Sequence, residues 1–483
     1  MAIYLGVDIG TTSAKCLAVD EDGTVLGQAQ QPYPMAHPLE GWAEQDPEDY
    51  WRALVSTVNQ CVAQCRDQGR NASEIESLAM STQGDTLIVT DNRGAPLMPA
   101  ISWMDSRGVA EYQELLGETG RSFWYREAAT LPDPHSSACS IRWLQRNLAD
   151  VWAQVRGICY VADYMAGRLC GKFVSDIPSA SWTPLYSPCE RKWSSPILDL
   201  LGVSRESLPL TVQSGDVIGE LLPEVAAELG VGASTMLVAG AFDQAAAACG
   251  AGAGSDGRSV LSCGTAWVLY SVVKTPPVDE QERLPICCHT GPFEWGMVLP
   301  FSGGSTYDWL LKTCGDRSES SATDSAPLIF IPHLYGEICP GWHSESRGSL
   351  LGLSMSHTFE DVRLALMRGL ACEARRNMEA AESVGVKVRC VRMVGGAAKS
   401  DIWPQIIADV LDRPIEVSDC AESACYGAAK LAAGALSRKW SDAQSISEVN
   451  PDSAGATNQA EFFGQYMQCM EALMPLYVGK GKD

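Results

Sequence analysis

The sequence predicts an α/β protein whose two domains face one another across a cleft. Three observations point there. The chain has 483 residues, against the ~100–200 that one domain ordinarily holds. Stretches of strand character give way to stretches of helical spacing. One local pattern, a strand, a glycine–threonine turn and a returning strand, occurs both at residue 8 and near residue 264. Two similar halves set face to face would bring both glycine-bearing turns to one cleft. The boundary is placed after residue 240, giving domains of residues 1–240 and 241–483.

Composition narrows the function classes. With 46% hydrophobic and 20% charged residues, the chain can bury a large core. Its net charge of −23 excludes binding nucleic acid or anionic membrane by phosphate neutralisation. Any phosphate site must lean on backbone N–H groups and a metal, because basic residues are outnumbered. The start, Met1 to Asp8, has no basic region and places an acid where a leader's apolar core would lie. No apolar run approaches the ~20 residues of a membrane span. A cytoplasmic protein is expected, with neither nucleic acid nor membrane as partner. The 18 cysteines have irregular spacing and no C-x-x-C pair, and read as small buried residues in a reducing compartment. Cys287-Cys288-His289 is the one cluster that suggests a metal, and adjacent cysteines suit a single ion poorly.

The elements follow in order. Ile3 to Ile9 and Ala14 to Val19 read as strands about the turn Gly10-Thr11-Thr12-Ser13, and Asp22-Gly23 signals a second hairpin. A helix is expected after Pro47, with Tyr50, Trp51, Leu54, Val55, Val58 and Val62 on one face. Leu78 to Met80 and Leu87 to Val89 are strand pieces about a polar loop, residues 81–85. The region from 110 to 235 mixes helices and Pro-punctuated loops without a readable order. From Val260 to Tyr270 the opening pattern returns. Residues 315–326 read as a surface loop, Phe359 to Ala381 as a long helix, and Phe462, Phe463, Tyr466, Met467, Met470, Leu473 and Met474 as one face of a C-terminal helix packed on the second domain.

Three places carry candidate chemistry. Asp8-Ile9-Gly10-Thr11-Thr12 ends a buried strand with an acid and a tight turn. Its N–H groups and hydroxyls can cradle phosphate oxygens, and an acid beside phosphates calls for Mg²⁺. A plain hairpin reads the same way. Asp243-Gln244 lies where a strand gives way to a helix; a carboxylate there can orient an attacking hydroxyl and take its proton, or simply cap the helix. Gly395-Gly396-Ala397-Ala398-Lys399-Ser400 is a small-residue turn that admits a flat adenine or serves only as a turn. Gly250, Gly252 and Gly254 follow an alanine run and read as a helix exit. No P-loop is present.

Taken together, Asp8 to Lys15, Gly41-Trp42-Ala43-Glu44-Gln45-Asp46-Pro47, Trp103-Met104-Asp105-Ser106-Arg107, Asp243-Gln244, Gly264-Thr265, Arg347 to Thr358 and Gly395 to Ser400 resemble, in order and interval, the FGGY carbohydrate kinases, the family of xylulokinase, ribulokinase, gluconokinase and glycerol kinase. The resemblance runs over nearly the whole chain. It implies two RNase-H-like domains of the actin/hexokinase/Hsp70 superfamily around a central cleft, with sugar deep and ATP across the mouth. It implies that Asp8 helps hold Mg²⁺ and that Thr11, Thr12, Gly264 and Thr265 meet phosphates. Gly304, Gly396, Ala397 and Ser400 would lie along the nucleotide. Asp243 would be the catalytic base, with Gln244, Gln83, Gly84, Asp85, Trp103, Asp105 and Arg107 around a small sugar or polyol. A homodimer is the assembly that analogy with such kinases offers.

The chain departs from the family pattern in ways that bear on the acceptor. Gln83-Gly84-Asp85 stands where xylulokinases carry Gln-Met-His and glycerol kinases Gln-Arg-Glu; Ala241-Phe242 is bulkier than the glycines common before the base, and Ser140 replaces a lysine. The Trp103-x-Asp105-x-Arg107 pattern favours a pentulose such as xylulose; erythritol, gluconate, glycerol and ribulose remain alternatives. A non-catalytic ATP-driven sensor needs the phosphate turns but not an acid facing a sugar pocket. His333 and His357, lacking ligand spacing, are expected to make structural hydrogen bonds.

Overall fold

Alternate residues of the first strand face opposite ways in the computed structural model. The structure describes residues 2–254, 256–314, 328–420, 422–436, 440 and 444–478. In β1 (Ile3–Ile9), Ile3, Leu5, Val7 and Ile9 enter one core cluster and Tyr4 another, the two-residue period of a strand covered on both faces. Asp8 therefore shares a face with Tyr4 and Gly6. β2 (Ser13–Asp20) and β3 (Val25–Pro32) complete an antiparallel meander, and Gly23 closes its second turn at φ +80°, as Asp22-Gly23 predicts. Helix α1 (Pro47–Asp67) starts at Asp46, whose carboxylate accepts the Glu48 N–H. It lays Tyr50, Trp51, Leu54, Val58 and Val62 against the Ile3-Leu5-Val7 face, each contributing about 1.5–3 kcal/mol by burial. Val55, expected with them, is only half-buried.

Strand β4 (Ile75–Thr82) runs parallel to β1, β5 (Val217–Glu220) lies at the edge, and β6 (Met236–Phe242) runs parallel to β4. The sheet order is β5-β6-β4-β1-β2-β3. The register of β6 against β4 slips between Val238 and Ala241. There Gly240 lies so close to the Met80 carbonyl that a Cβ would stand 1.7 Å from its oxygen, and β6 ends directly before Asp243. The region without readable order resolves into helices, Val109–Thr119, Arg121–Ala128, Ser137–Asn147 and Val161–Cys170 among them. Much of it closes on a separate core around Trp124, Leu144, Tyr186 and Trp193.

Helix α2 (Asp243–Gly250) leads out of the first sheet, ending where the glycines predict. The second sheet contains β7 (Arg258–Cys263), β8 (Trp267–Val273), β9 (Ile286–Cys288), β10 (Trp295–Phe301), β11 (Cys390–Gly395), β12 (Ile415–Ser418) and β13 (Ile446–Val449), in the order β9-β10-β8-β7-β11-β12-β13. Its central order repeats that of the first: an antiparallel meander, then two strands parallel to the first of that meander. Helices Gly304–Cys314, Phe359–Ser383 and Trp403–Leu411 cover one face, and the helix Ser453–Val478 adds Phe462, Phe463, Tyr466 and Met470 to the same core. The loop expected at 315–326 lies outside the described residues.

The helix Ser423–Ala435 returns to the first sheet. Ala428, Ala429, Ala432 and Ala433 pack with Tyr4, Leu17, Val19 and Ala79, and Ser77 donates to the Ala432 carbonyl at 3.0 Å. Glycines set this approach: a Cβ on Gly6 would stand 1.9 Å from the Cys425 carbonyl oxygen, and one on Gly427 1.9 Å from that of Ala246 in α2. Among the described residues no helix is long and apolar enough to cross a membrane, and none of the 18 cysteines forms a disulfide.

Two glycines of that one helix should respond in opposite directions. Gly427→Ala forces α2 and the helix apart and should cost about 1–3 kcal/mol, read as a lowered melting temperature. Gly434 has nothing within 4 Å of the place a Cβ would take, and Gly434→Ala should gain up to about 1 kcal/mol from helix propensity. Equal melting temperatures would show that the two helices do not touch as described.

Candidate active site

The turn after β1 is held by side chains from elsewhere in the first domain. The Tyr33 hydroxyl donates to the Gly10 carbonyl, and Gln45 Nε2 donates to the Thr11 carbonyl at 2.8 Å. Trp103 Nε1 donates to Thr11 Oγ1 at 3.0 Å, while Thr12 is exposed. In the second domain Gly264, Thr265 and Ala266 are exposed at the end of β7. The Gly304 and Ser305 N–H groups donate to the carbonyls of Gly264 and Thr265 at 3.1 and 3.0 Å, so this turn and the start of the Gly304–Cys314 helix form one unit. A Cβ on Gly304 would stand 2.5 Å from the Gly264 oxygen. Gly395, at φ +93°, pairs beside Cys263, which brings the small-residue turn next to the Gly-Thr turn. Gly396 has open space where a side chain would be. Ala397 packs against the second core, and Ser400 Oγ accepts from the Ile402 and Trp403 N–H groups at 3.3 and 3.4 Å, starting the next helix.

Two carboxylates come together from neighbouring parts of the first sheet, Asp8 on β1 and Asp243 at the start of α2. Asp8 Oδ1 accepts the Ser81 hydroxyl at 2.7 Å. Loss of water raises Asp8 to about 6, although Ser81 and Lys15 act the other way. Lys15, opposite Asp8 in the β1–β2 register, also binds Glu422 at 2.7 Å, beside the returning helix. Asp243 is raised to about 7, first by desolvation and next by the negative charge of Asp8. Its Oδ1 accepts the Gln244 N–H at 2.7 Å. An acid poised near neutrality at the end of a strand, facing a second acid, suits a group that takes a proton from a hydroxyl.

The loop after β4 starts beside the first turn, with Gln83 N–H donating to the Ile9 carbonyl at 2.8 Å. Gln83 Nε2 and the Tyr50 hydroxyl both donate to Gln45 Oε1, at 3.2 and 2.9 Å. Gln45 therefore links the loop to the Thr11 turn. Gly84 lies against Trp182. Asp85 takes a left-handed backbone at φ +52°, a conformation sparsely populated without glycine, and its Oδ2 accepts the Ser137 N–H at 3.1 Å. Burial pushes its carboxyl up to about 8.

Not all the expected acceptor residues reach that loop with free polar groups. Trp103 is 42% exposed and stands beside Thr11. Asp105 is fully buried, its oxygens accepting from Ala43 N at 2.6 Å and from Arg107. Arg107 in turn binds Glu44 at 2.7 Å and stacks 3.7 Å over Trp42. This pair fastens the Trp42-Ala43-Glu44 segment to the Trp103 loop. Gln45, Tyr33 and Trp182 escaped the sequence reading of function. Gln45 lies inside a recognised segment but has no intrinsic chemistry that singles it out, and nothing local marks Trp182. His333 and His357 hydrogen-bond to Ser346 and Ser354, and His289 to Tyr270 at 3.0 Å. Among the described residues no group of three or more potential ligand side chains could hold a metal.

Residues 3–250 match the N-terminal domain of the FGGY family of carbohydrate kinases, and residues 261–436 match its C-terminal domain. The chain belongs to the FGGY family. It is 28% identical over 440 residues to a xylulose kinase of Escherichia coli, covering 89% of both chains. It is 26% identical over 448 residues to a gluconokinase of Bacillus subtilis, covering 88% of this chain and 86% of that one. A solved structure described as a xyloylose kinase from Brucella ovis superposes with a TM-score of 0.91 at 27% identity, covering 98% of this chain and 100% of that chain. This FGGY protein is thus an ATP-dependent carbohydrate kinase with the two-domain actin/hexokinase-like fold of its relatives.

The raised acids make stability depend on pH. A carboxyl whose folded pKa exceeds its unfolded value, about 3.9 for aspartate, leaves the native state holding protons that the unfolded chain has lost, so stability falls as pH rises. Asp8, Asp243 and Asp85 place this loss between pH 4 and about 8, with Asp85 last. The melting temperature of the ligand-free protein should decline from pH 7 to 8.5, and Asp85→Asn should flatten that part of the curve. An unchanged slope in the variant would remove Asp85 from the account.

Proposed function

We propose that this kinase transfers the γ-phosphoryl group of ATP to a hydroxyl of a pentulose such as xylulose, with Asp243 as catalytic base. The observation that carries the reading is the pair Asp8 and Asp243, held on β1 and just past β6 of one sheet and close enough for the charge of Asp8 to raise Asp243. The names of the relatives support a ketose acceptor, and Trp103-x-Asp105-x-Arg107 accords with it. Asp243 accepts the proton of the attacking hydroxyl as the new P–O bond forms and the bond to ADP breaks. Thr11 and Thr12 from one turn, and Gly264 and Thr265 from the other, hold phosphate oxygens. Gly304, Gly396, Ala397 and Ser400 line the nucleotide, and Gln244 follows the base at the acceptor.

The residues fit Mg²⁺. Asp8 and Asp243 offer only hard oxygen ligands, and an acid raised by the charge of another gains from a cation between them. With two carboxylates and no third ligand side chain among the described residues, the remaining positions fall to phosphate oxygens and water, the arrangement magnesium prefers. Bound there, the ion would neutralise phosphate charge, with Asp8 as its main protein ligand. Eighteen cysteines outside any disulfide support a cytoplasmic location, and a homodimer remains part of the proposal by analogy with such kinases.

A coupled ADP-release assay over D-xylulose, D- and L-ribulose, glycerol, erythritol and gluconate tests the reading. Release should require Mg·ATP and an acceptor, D-xylulose giving the largest rate. Asp243→Ala should lower kcat at least about 10²-fold, the lower reach of general-base catalysis, while ATP binding persists by calorimetry. Full activity in that variant would sink the assignment of the base.

A further inference from the structure

The loop after β4 carries two oxygens with nothing to receive. Gln83 Oε1 and Asp85 Oδ1 are buried, and no group among the described residues donates to either. Leaving buried acceptors unpaired is costly, and two within three residues call for donors that arrive from outside. Between them Gly84 has no side chain, and the indole of Trp182 is the reason. A Cβ on Gly84 would stand 2.3 Å from Trp182 Cδ1 and 2.9 Å from Nε1, so the ring occupies the space a side chain would take. The ring is fixed from two directions. It stacks on Phe242 with centroids 5.2 Å and planes 5° apart, and its neighbour Ser181 accepts the Cys288 N–H through Oγ at 2.8 Å. Phe242 directly precedes Asp243, so the indole is tied both to Gly84 and to the residue before the base. Trp182 is partly exposed.

We propose that Trp182 is a specificity-determining residue. Set against Gly84, it backs the carbon chain of the acceptor and offers Nε1–H to one of its oxygens, while Gln83 Oε1 accepts from one hydroxyl and Asp85 Oδ1 pairs with another. The acceptor class that follows is an uncharged polyhydroxy compound, ketose or polyol, and not an aldonic acid. This rests on the kinase reading above and narrows it. Gln83 Oε1 can only accept, so it calls for a hydroxyl and is not served by an ionised carboxylate, which also only accepts. Arg107, the cation of the Trp103 loop, is 1% exposed, with Nε and Nη2 engaged by Asp105 and Glu44 and only Nη1 unpaired among the described residues.

The test compares wild type, Trp182→Phe and Asp85→Asn with D-xylulose, xylitol and D-gluconate, by steady-state ADP release and by calorimetric binding of each acceptor. Trp182→Phe keeps the stack on Phe242 and removes the donor. It should raise KM for the best neutral acceptor about tenfold, the cost of one lost hydrogen bond, with kcat within about twofold and KM for ATP unchanged. A merely structural indole would move both KM values together or lower the melting temperature alone. Wild type should prefer a neutral acceptor over gluconate at least about 10²-fold in kcat/KM, and Asp85→Asn should narrow that gap. Gluconate used as well as the neutral acceptors, or an unchanged KM in Trp182→Phe, would overturn the proposal. The two readings fail separately: neutral acceptors that bind, weakened by Trp182→Phe, but are never phosphorylated would remove the kinase reading and leave this site standing. Binding of none of the three would remove the site.

Discussion

Two like charges brought together in a partly dehydrated cleft are the constraint around which the rest is arranged. Both lose water, and Asp243 also stands in the field of Asp8, so the two would relax apart if the chain allowed it. The first sheet prevents this. Asp8 ends β1 on the face set by the two-residue alternation, and Asp243 follows β6 after a register slip that Gly240 permits. Raised acids of this kind lower stability at neutral pH; a cation and a substrate proton would both relieve them, which ties the unfavourable term to function.

Backbone contact between the two domains holds that arrangement. Gly6, Gly250 and Gly427 have no room for a Cβ, so the helix Ser423–Ala435, α2 and the first sheet approach more closely than side chains would permit. The ion pair Lys15–Glu422 lies at the rim of the same contact. Both partners are about one-third exposed, which makes it a weak fastener beside the packed alanines. Van der Waals contact and burial therefore hold the domains, and the polar groups at the cleft are left to the substrates.

The acceptor side follows different physics. Gln45, Tyr50, Thr11 and Gln83 form a closed set of hydrogen bonds, so the loop is rigid where it meets the phosphate turn. On its other side Gln83 Oε1 and Asp85 Oδ1 are left unpaired, Asp85 is held in a left-handed backbone, and an indole replaces a side chain. Strain and unsatisfied acceptors that cluster within three residues mark a place where the native state is completed by a ligand.

By itself the sequence determined whatever depends on neighbours along the chain. The α1 face, the Asp22-Gly23 hairpin, the helix exit at Gly250, the two Gly-Thr turns and the acids at strand ends are all local, and their periodicity and turn chemistry are written in consecutive residues. Asp8, Gly264 and Asp243 were legible for that reason. Asp105 and Arg107 carried the same local signal, and only the tertiary structure showed their charges spent on one another, on Glu44 and on Ala43. Trp182 gave no signal at all, because its meaning lies in Gly84, almost a hundred residues before it, and in Phe242, sixty after. The pKa values of the acids were equally hidden. Desolvation and Coulomb energy depend on distances through space, and those are set only when segments remote in the chain have packed.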